Sequence, residues 1–281
     1  MILIISSNQD PASKNILDKL LNYDWEPVSE YQKNLVYRKG EFISATIENH
    51  HIYEDDLDKK ISAQLGLDFD LVMFISKHAS EAGINSLTVH PIGNLGEAKF
   101  GGEEGKLVPS APHLMTYALR RLKENYDKNN EISDYDISFE ATHHGPYLET
   151  PTFYIEIGSD MERWEDEYAG SVIAKTVLDV EENISKNFPV SICIGGGHYA
   201  PRFTDLALDR KISIGHMVPG WGLKYLTKES FKELVKKTPK VKYLYFDRSS
   251  TKAKERKRIK QWILEEGLDI RVIRSKDLER L

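Results

Sequence analysis

The sequence predicts an α/β fold of three layers, with a largely parallel or mixed central sheet between helices. Three observations carry that expectation. Short apolar, β-branched runs alternate with longer amphipathic stretches along nearly the whole chain. From Val241 onward the order is apolar strand, helix with Ile259, Trp262 and Ile263 on one face, then apolar strand, which makes a βαβ unit. Six of the nine histidines stand in phrases that follow strand-like runs, where open α/β sheets present ligand-binding residues.

Taken in order, residues 2–6 form a β-rich opening, and Pro11 starts a helix carrying Ile16, Leu17, Leu20 and Leu21. Further strands are expected at 42–47, 71–76, 86–90, 136–141, 152–157, 190–194, 212–214, 241–246 and 270–273. Helices are expected at 113–126, 161–183, 228–237 and 252–266. Ser159 and Glu162 have the spacing of a capping box, and Gly267 closes the last helix. Residues 94–112 hold Gly96, Gly101, Gly102 and Gly105 before Pro109 and Pro112, a loop too long to be a mere connection. Neither a repeat nor a low-complexity linker divides the chain, so one domain over residues 1–281, with room for two lobes, is expected.

With 40% hydrophobic and 29% charged residues, the composition is that of an ordinary globular protein. Apolar runs fall well short of the about 20 residues that span a bilayer, and the first residues lack a basic leader, so a cytoplasmic protein without membrane contact is expected. Cys193 is the sole cysteine and lies in an apolar run, which favours a buried thiol over a nucleophile. The net charge of −6 is uneven: residues 224–281 hold 18 Lys and Arg against 9 Asp and Glu, leaving 20 against 35 for residues 1–223. A basic end on an acidic body suits an oriented approach to a polyanion, although a solvated helix face gives the same pattern.

The histidine phrases are the chemical signal. His78, His90, His143, His144, His198 and His216 each fall at or just past the end of an expected strand and could meet on one rim. In extended backbone the adjacent His143 and His144 would point opposite ways, so one is expected to face the site and the other to fix the loop. Glu140 and Glu156 lie in or beside apolar strands, where a carboxylate needs a partner: a histidine, a metal or a cation. The run Gly195, Gly196, Gly197 allows close backbone approach to an anion or oxyanion, and Arg202 is placed to clamp a phosphate or carboxylate. Walker A, dinucleotide, His-Glu-x-x-His and Gly-x-Ser-x-Gly patterns are all absent.

Together these phrases resemble the archaeal and plant type of D-aminoacyl-tRNA deacylase over most of the chain. The resemblance rests on Ser-Lys-His-Ala-Ser (76–80), Leu-Thr-Val-His-Pro-Ile-Gly-Asn (87–94), Ala-Lys-Phe-Gly-Gly (98–102), Glu-Ala-Thr-His-His-Gly-Pro (140–146), Glu-Ile-Gly-Ser (156–159) and Gly-Gly-Gly-His-Tyr-Ala-Pro-Arg (195–202). One departure is Gly220, which follows Pro219 where the family pattern leads one to expect lysine. The resemblance implies a phosphorylase/hydrolase-like α/β fold, an association with zinc, and hydrolysis of the ester between a D-amino acid and the 3′-terminal ribose of tRNA.

The expected catalytic residues are His78, His90, His143, His198, Glu140 and Glu156, with His143, His144 and His198 as candidate zinc ligands. Substrate contacts are expected from Lys77, Gly195, Gly196, Gly197, Arg202, His216, Lys254, Arg256 and Arg258. The last three belong to a run in which six of the nine residues 252–260 are Lys or Arg, suited to holding tRNA phosphates without reading sequence. The partner is tRNA rather than DNA, and a monomer is expected. Two rivals share these features: an α/β metallohydrolase acting on a small amide or peptide, and a non-catalytic RNA-binding protein with structural histidines.

Overall fold

A computed structural model describes residues 1–80, 83–128, 134–183 and 188–281. The chain forms two sheets, and one of its apolar clusters draws on both. The larger sheet holds β1 (Ile2–Ser7), β2 (Glu26–Tyr31), β3 (Asn34–Lys39), β4 (Phe42–Ile47), β5 (Leu71–Ala79), β6 (Ser86–His90), β7 (Asp136–Phe139) and β8 (Thr152–Ser159), in the order β2-β3-β4-β1-β5-β8-β6-β7. It is mixed: β4, β1, β5 and β8 run parallel, while β6 and β7 run antiparallel to β8. The smaller sheet is parallel throughout, with β9 (Val190–Ile194), β10 (Ser213–Val218), β11 (Val241–Phe246) and β12 (Arg271–Ile273) in the order β10-β9-β11-β12.

Strand alternation gives each face of the large sheet its own neighbours. Met73, Ile75, Phe153, Ile155, Leu87 and Val89 pack under α1 (Pro11–Leu20) and α3 (Pro112–Asp127), in a cluster that continues through Met115 and Leu119 to Ile214 and Met217 of the small sheet. The opposite face begins as apolar packing of Leu3, Ile5, Val72, Phe74 and Tyr154 against Leu57 and Ile61 of α2 (Leu57–Leu65). Further along the same face the register aligns Ser76, Glu156 and Thr88, then His78, Gly158 and Ser86. There the lining turns polar.

Several elements differ from the sequence reading. The β2–β3 hairpin went unread because Gln32 (φ 48°) and Lys33 (φ 67°) take the left-handed turn without the usual Asn-Gly signal. The stretch 161–183 breaks into α4 (Met161–Trp164), α5 (Glu167–Asp179) and a 3-10 turn (Val180–Asn183), because Asp166 captures the amides of Tyr168 (2.8 Å) and Ala169 (3.3 Å). Asp160 rather than Ser159 caps α4, accepting from the Arg163 amide at 3.1 Å, while Ser159 ends β8. α6 (Pro201–Asp209) was also unread; α7 (Lys228–Lys236) and α8 (Ala253–Glu265) lie where expected, and Gly267 leaves α8 with φ 60°. Cys193 is fully buried in β9, which pushes its thiol pKa up. Among the described residues no helix is long and apolar enough to cross a membrane.

Candidate active site

The polar half of the large sheet's second face is the floor of the site. β5 delivers His78, β8 delivers Glu156, and the segment after β7 delivers Glu140, His143 and His144. His198 arrives from the loop after β9. That loop is stitched to the Glu140 segment by main-chain bonds, Ala141 N to His198 O (2.8 Å) and Ala200 N to Phe139 O (3.0 Å). Asp10 fixes the other side: one carboxylate oxygen caps α1 through the Ser13 amide (2.9 Å), and the other accepts from the Lys77 amide (2.9 Å) and the Ser76 hydroxyl (3.1 Å).

The sequence predicts six histidines on one rim at the C-terminal strand ends, and the topology corrects this. Because β6 runs antiparallel to β8, its last residue His90 pairs with Tyr154, four residues before Gly158, the partner of His78. His90 is therefore fully buried beneath the cluster, stacked on the Tyr154 ring at 5.3 Å. The site lies on a sheet face, not outside its edge.

A second correction concerns the His143–His144 pair. His144 has φ 44°, which breaks the alternation of extended backbone and turns both rings to the same side, 4.3 Å apart. The Gly93 amide holds this turn by donating to His144 O (2.9 Å), and Gly145 lets it press against Gly101 and Gly102, where a Cβ would sit 2.3 Å from the Gly102 nitrogen.

Glu140 is the centre of the cluster. It is fully buried, with Nδ1 of His78 at 3.2 Å, Nε2 of His198 at 3.0 Å and Nε2 of His143 at 3.6 Å. Burial alone would raise its pKa, but the facing His198, His78 and His90 outweigh that and hold it down to about 2. Neither oxygen meets the alignment of a hydrogen bond, so the carboxylate is ringed by nitrogens without being closed off by them. Glu156 lies 3.3 Å from Nε2 of His90 and 3.8 Å from Nδ1 of His78. Tyr199, beside His198 in sequence, places its hydroxyl 3.0 Å from Nε2 of His78.

Tautomers follow from these partners. The Nδ1–H groups of His143 and His144 donate to the carbonyls of Ala141 (2.7 Å) and Gly145 (2.6 Å), and Nδ1 of His90 faces Pro91 O at 3.2 Å. Nε2 lone pairs are thereby left on His143 and His144, whereas Nε2 of His90 faces the Glu156 carboxylate at 3.3 Å, which favours a proton there; one ligand atom from each of the three histidines lies within 4.8 Å of the others. Burial and neighbouring histidines drive the His143 pKa well below its ordinary value and that of His144 to about 3. His78, Glu140 and His198 form a second such group, and His90, Glu140 and Glu156 a third. Nitrogen and carboxylate donors of this kind suit zinc. The expected triad His143, His144, His198 is thus divided between two groups.

A cleft of about 290 Å³ opens over the cluster, lined by His78, His143, His144, His198 and Glu156 together with Ile52, Lys77, Ala79 and Phe100. Other expected site residues lie elsewhere. His216 is fully buried between Thr142 Oγ1 (3.1 Å) and Val108 O (2.9 Å) and does not line this cleft. The Gly195 amide donates to Val218 O (2.8 Å) and that of Gly196 to Ser250 Oγ (2.6 Å), leaving only Gly197 of the three without a partner among the described residues. Arg202 pairs with Asp247 at 3.1 Å and turns into a different, basic cleft of about 410 Å³, shared with Arg248, Arg256, Lys260, Arg274 and Asp277. Lys254 is exposed outside it, and Arg258 stands over the Trp262 ring at 5.0 Å, paired with Glu255. Sequence reasoning missed Asp10, Tyr199, Tyr154 and the His50–His51 pair, although that pair also follows a strand.

A family model described as D-aminoacyl-tRNA deacylase matches residues 65–271. The chain belongs to the D-aminoacyl-tRNA deacylase family. It is 40% identical to a Methanosarcina mazei relative of that name, covering 99% of this chain and 93% of the relative, and 35% identical to one from Pyrococcus abyssi, covering 96% and 98%. A Methanococcoides burtonii relative is also 40% identical over 99% of this chain, which spans 57% of that longer protein. Among solved structures, one described as a conserved protein of unknown function superposes with a TM-score of 0.91 at 32% identity, covering 100% of this chain and 98% of the other.

Proposed function

We propose that the histidine–carboxylate cluster hydrolyses the ester joining a D-amino acid to the 3′-terminal ribose of tRNA. The observation that carries this reading is Glu140, buried, ionised and flanked by His78 and His198 on the floor of the cleft, in a member of a deacylase family. Glu140 faces Nε2 of His198 at 3.0 Å, which holds that nitrogen and leaves Nδ1 to exchange a proton with the substrate. His198 is also the most exposed histidine of the cluster. It takes the proton of the attacking water and returns it to the leaving 3′-oxygen. His78, whose Nε2 accepts from the Tyr199 hydroxyl, is a positioning residue that braces Glu140 from the other side.

Zinc is part of this proposal: it would be held by Nε2 of His143 and His144 and by His90 once the proton facing Glu156 is given up, with the carboxylates of Glu140 and Glu156 within reach. Bound there, it supplies Lewis acidity toward the reacting oxygen atoms. Lys77 gives the cleft a cationic wall. The tRNA backbone lies along the basic cleft, where Arg248, Lys260 and Arg274 carry no ion pair among the described residues. Acting as a cytoplasmic monomer on tRNA rather than DNA is the accompanying expectation from sequence.

The test is turnover of a D-aminoacyl-tRNA against its L-aminoacyl counterpart, with and without chelator, alongside elemental analysis. The proposal expects D-selective release of free tRNA, about one or two equivalents of zinc per chain, and loss of activity on chelation that zinc restores. Full activity in metal-free protein would remove zinc from the account and leave His198 and Glu140 as its only chemistry.

A further inference from the structure

A second cleft, of about 340 Å³, shares His143, His144, His198 and Phe100 with the first. Its remaining wall comes from the 94–99 segment and from the 3-10 turn Gly220–Lys224 with Tyr225. Two large aromatic side chains stand open here, Phe100 at 63% and Trp221 at 52% exposure. Their positions are built rather than incidental. The Gly220 amide donates to Gly196 O at 2.9 Å, which ties the turn to the loop that carries His198. Gly96 lies flat against the Tyr225 ring, where a Cβ would come within 2.6 Å, so one face of Tyr225 is covered while Trp221 stays open. Lys224 sits 4.6 Å over the Tyr225 ring with no carboxylate partner among the described residues, whereas Lys99 is paired with Glu97 at 3.1 Å.

An ester between a sugar and an amino acid has two unlike halves, and a site that cleaves it needs a place for each on either side of the reacting groups. The histidines form the wall common to two clefts. One is lined by Ile52, Lys77 and Ala79; the other offers exposed aromatic faces and a cation, the means by which proteins hold an unpaired base and its phosphate. We infer that the aromatic cleft holds the 3′-terminal nucleoside of the tRNA, its base stacked on Trp221 with Phe100 beside it and Lys224 facing the phosphate before it, while the aminoacyl group occupies the other cleft. This rests on the proposed deacylase reading and deepens it. Gly220, which departs from the expected lysine, then leaves the grip at this turn to Trp221 and Lys224.

The experiment uses two substrates, a full D-aminoacyl-tRNA and a D-aminoacyl-adenosine that lacks every phosphate and the tRNA body, and adds adenosine 5′-monophosphate as a ligand free of any ester. Trp221→Ala raises KM about tenfold for both substrates and lowers kcat at most twofold; Trp221→Phe restores most of the affinity. Adenosine 5′-monophosphate quenches the tryptophan fluorescence of the wild-type chain, and the quench disappears in Trp221→Phe. Lys224→Gln weakens the monophosphate but not adenosine. Normal turnover of both substrates by Trp221→Ala, or no quench by the monophosphate at millimolar concentration, overturns the inference while leaving the deacylase reading intact. A quench without any ester hydrolysis by the wild-type chain supports the nucleoside site and removes the deacylase reading instead.

Discussion

The two sheets carry opposite chemistry. On the large sheet, ionisable groups are buried and close to one another: Glu140 and His90 are fully buried and Glu156 is 2% exposed. On the small sheet, the cations of the basic cleft stand in the open around strand ends, and Arg202 is 57% exposed. Buried groups in a low-dielectric setting change protonation and reactivity, whereas exposed cations attract a polyanion without altering bonds. The comparison separates rate from grip: the histidine–carboxylate cluster on the large sheet, completed by His198 from the loop after β9, should govern kcat, and the basic cleft KM and its dependence on salt.

The largest expected effect is at the cluster, where the partly exposed His198 meets the buried Glu140. Replacing His198 by alanine should lower kcat about 10³-fold, and adding Glu140→Gln should cost little more, because the two act as one unit. Arg202 stands four residues further on but turns to the basic cleft, so Arg202→Gln should raise KM and spare kcat. Steady-state kinetics on D-aminoacyl-tRNA checks both, and a large kcat loss in Arg202→Gln would break the division.

Next comes stability against pH. Burial, only partly offset by the Val108 carbonyl, lowers the His216 pKa to about 4, and burial likewise takes His51 to about 4. Each folded value lies below the unfolded one of about 6.5, so the unfolded chain takes up the proton first and stability drains as pH falls from about 6.5 toward 4. For His216 alone this amounts to about 2 kcal/mol between pH 7.5 and pH 5. His90 works in the opposite sense, since Glu156 raises its pKa against the effect of burial. Urea midpoints across that range should fall for the wild-type chain and fall less for His216→Gln. Equal slopes would mean that His216 is not neutral in the fold.

On the exposed side, neutralising Arg248, Lys260 and Arg274 together should raise KM for charged tRNA about tenfold and flatten its salt dependence, with each lost phosphate contact worth about 0.7 to 0.9 in slope. The smallest effect is expected from Arg258→Gln, because that side chain is spent on Trp262, Glu255 and the Leu226 carbonyl. A salt slope unchanged in the triple variant would reduce the basic cleft to a solvated surface.

How legible this was in the sequence depended on whether the signal was local. Central strands such as β5 and β8 are buried on both faces and read clearly as apolar runs, and the βαβ unit at the end stood out for the same reason. The β2–β3 hairpin did not, because it is mostly exposed and its turn lacks glycine. In the site, the histidine phrases marked the right segments, but strand direction and a single left-handed residue decided the geometry. The reversed course of β6 sank His90 beneath the cluster, and φ at His144 turned two neighbouring rings to one side. His216 followed the same pattern as the others yet is spent on Thr142 and Val108, a long-range pairing that no local phrase reveals.

The most direct test of the central claim is single-turnover cleavage of D- and L-aminoacyl-tRNA by the wild-type chain and by Glu140→Gln, with zinc content and folding measured on both. The account predicts D-selective release by the wild type and a rate at least about 10²-fold lower in the folded Glu140→Gln protein. A folded Glu140→Gln chain that cleaves the D-ester at the wild-type rate would contradict it.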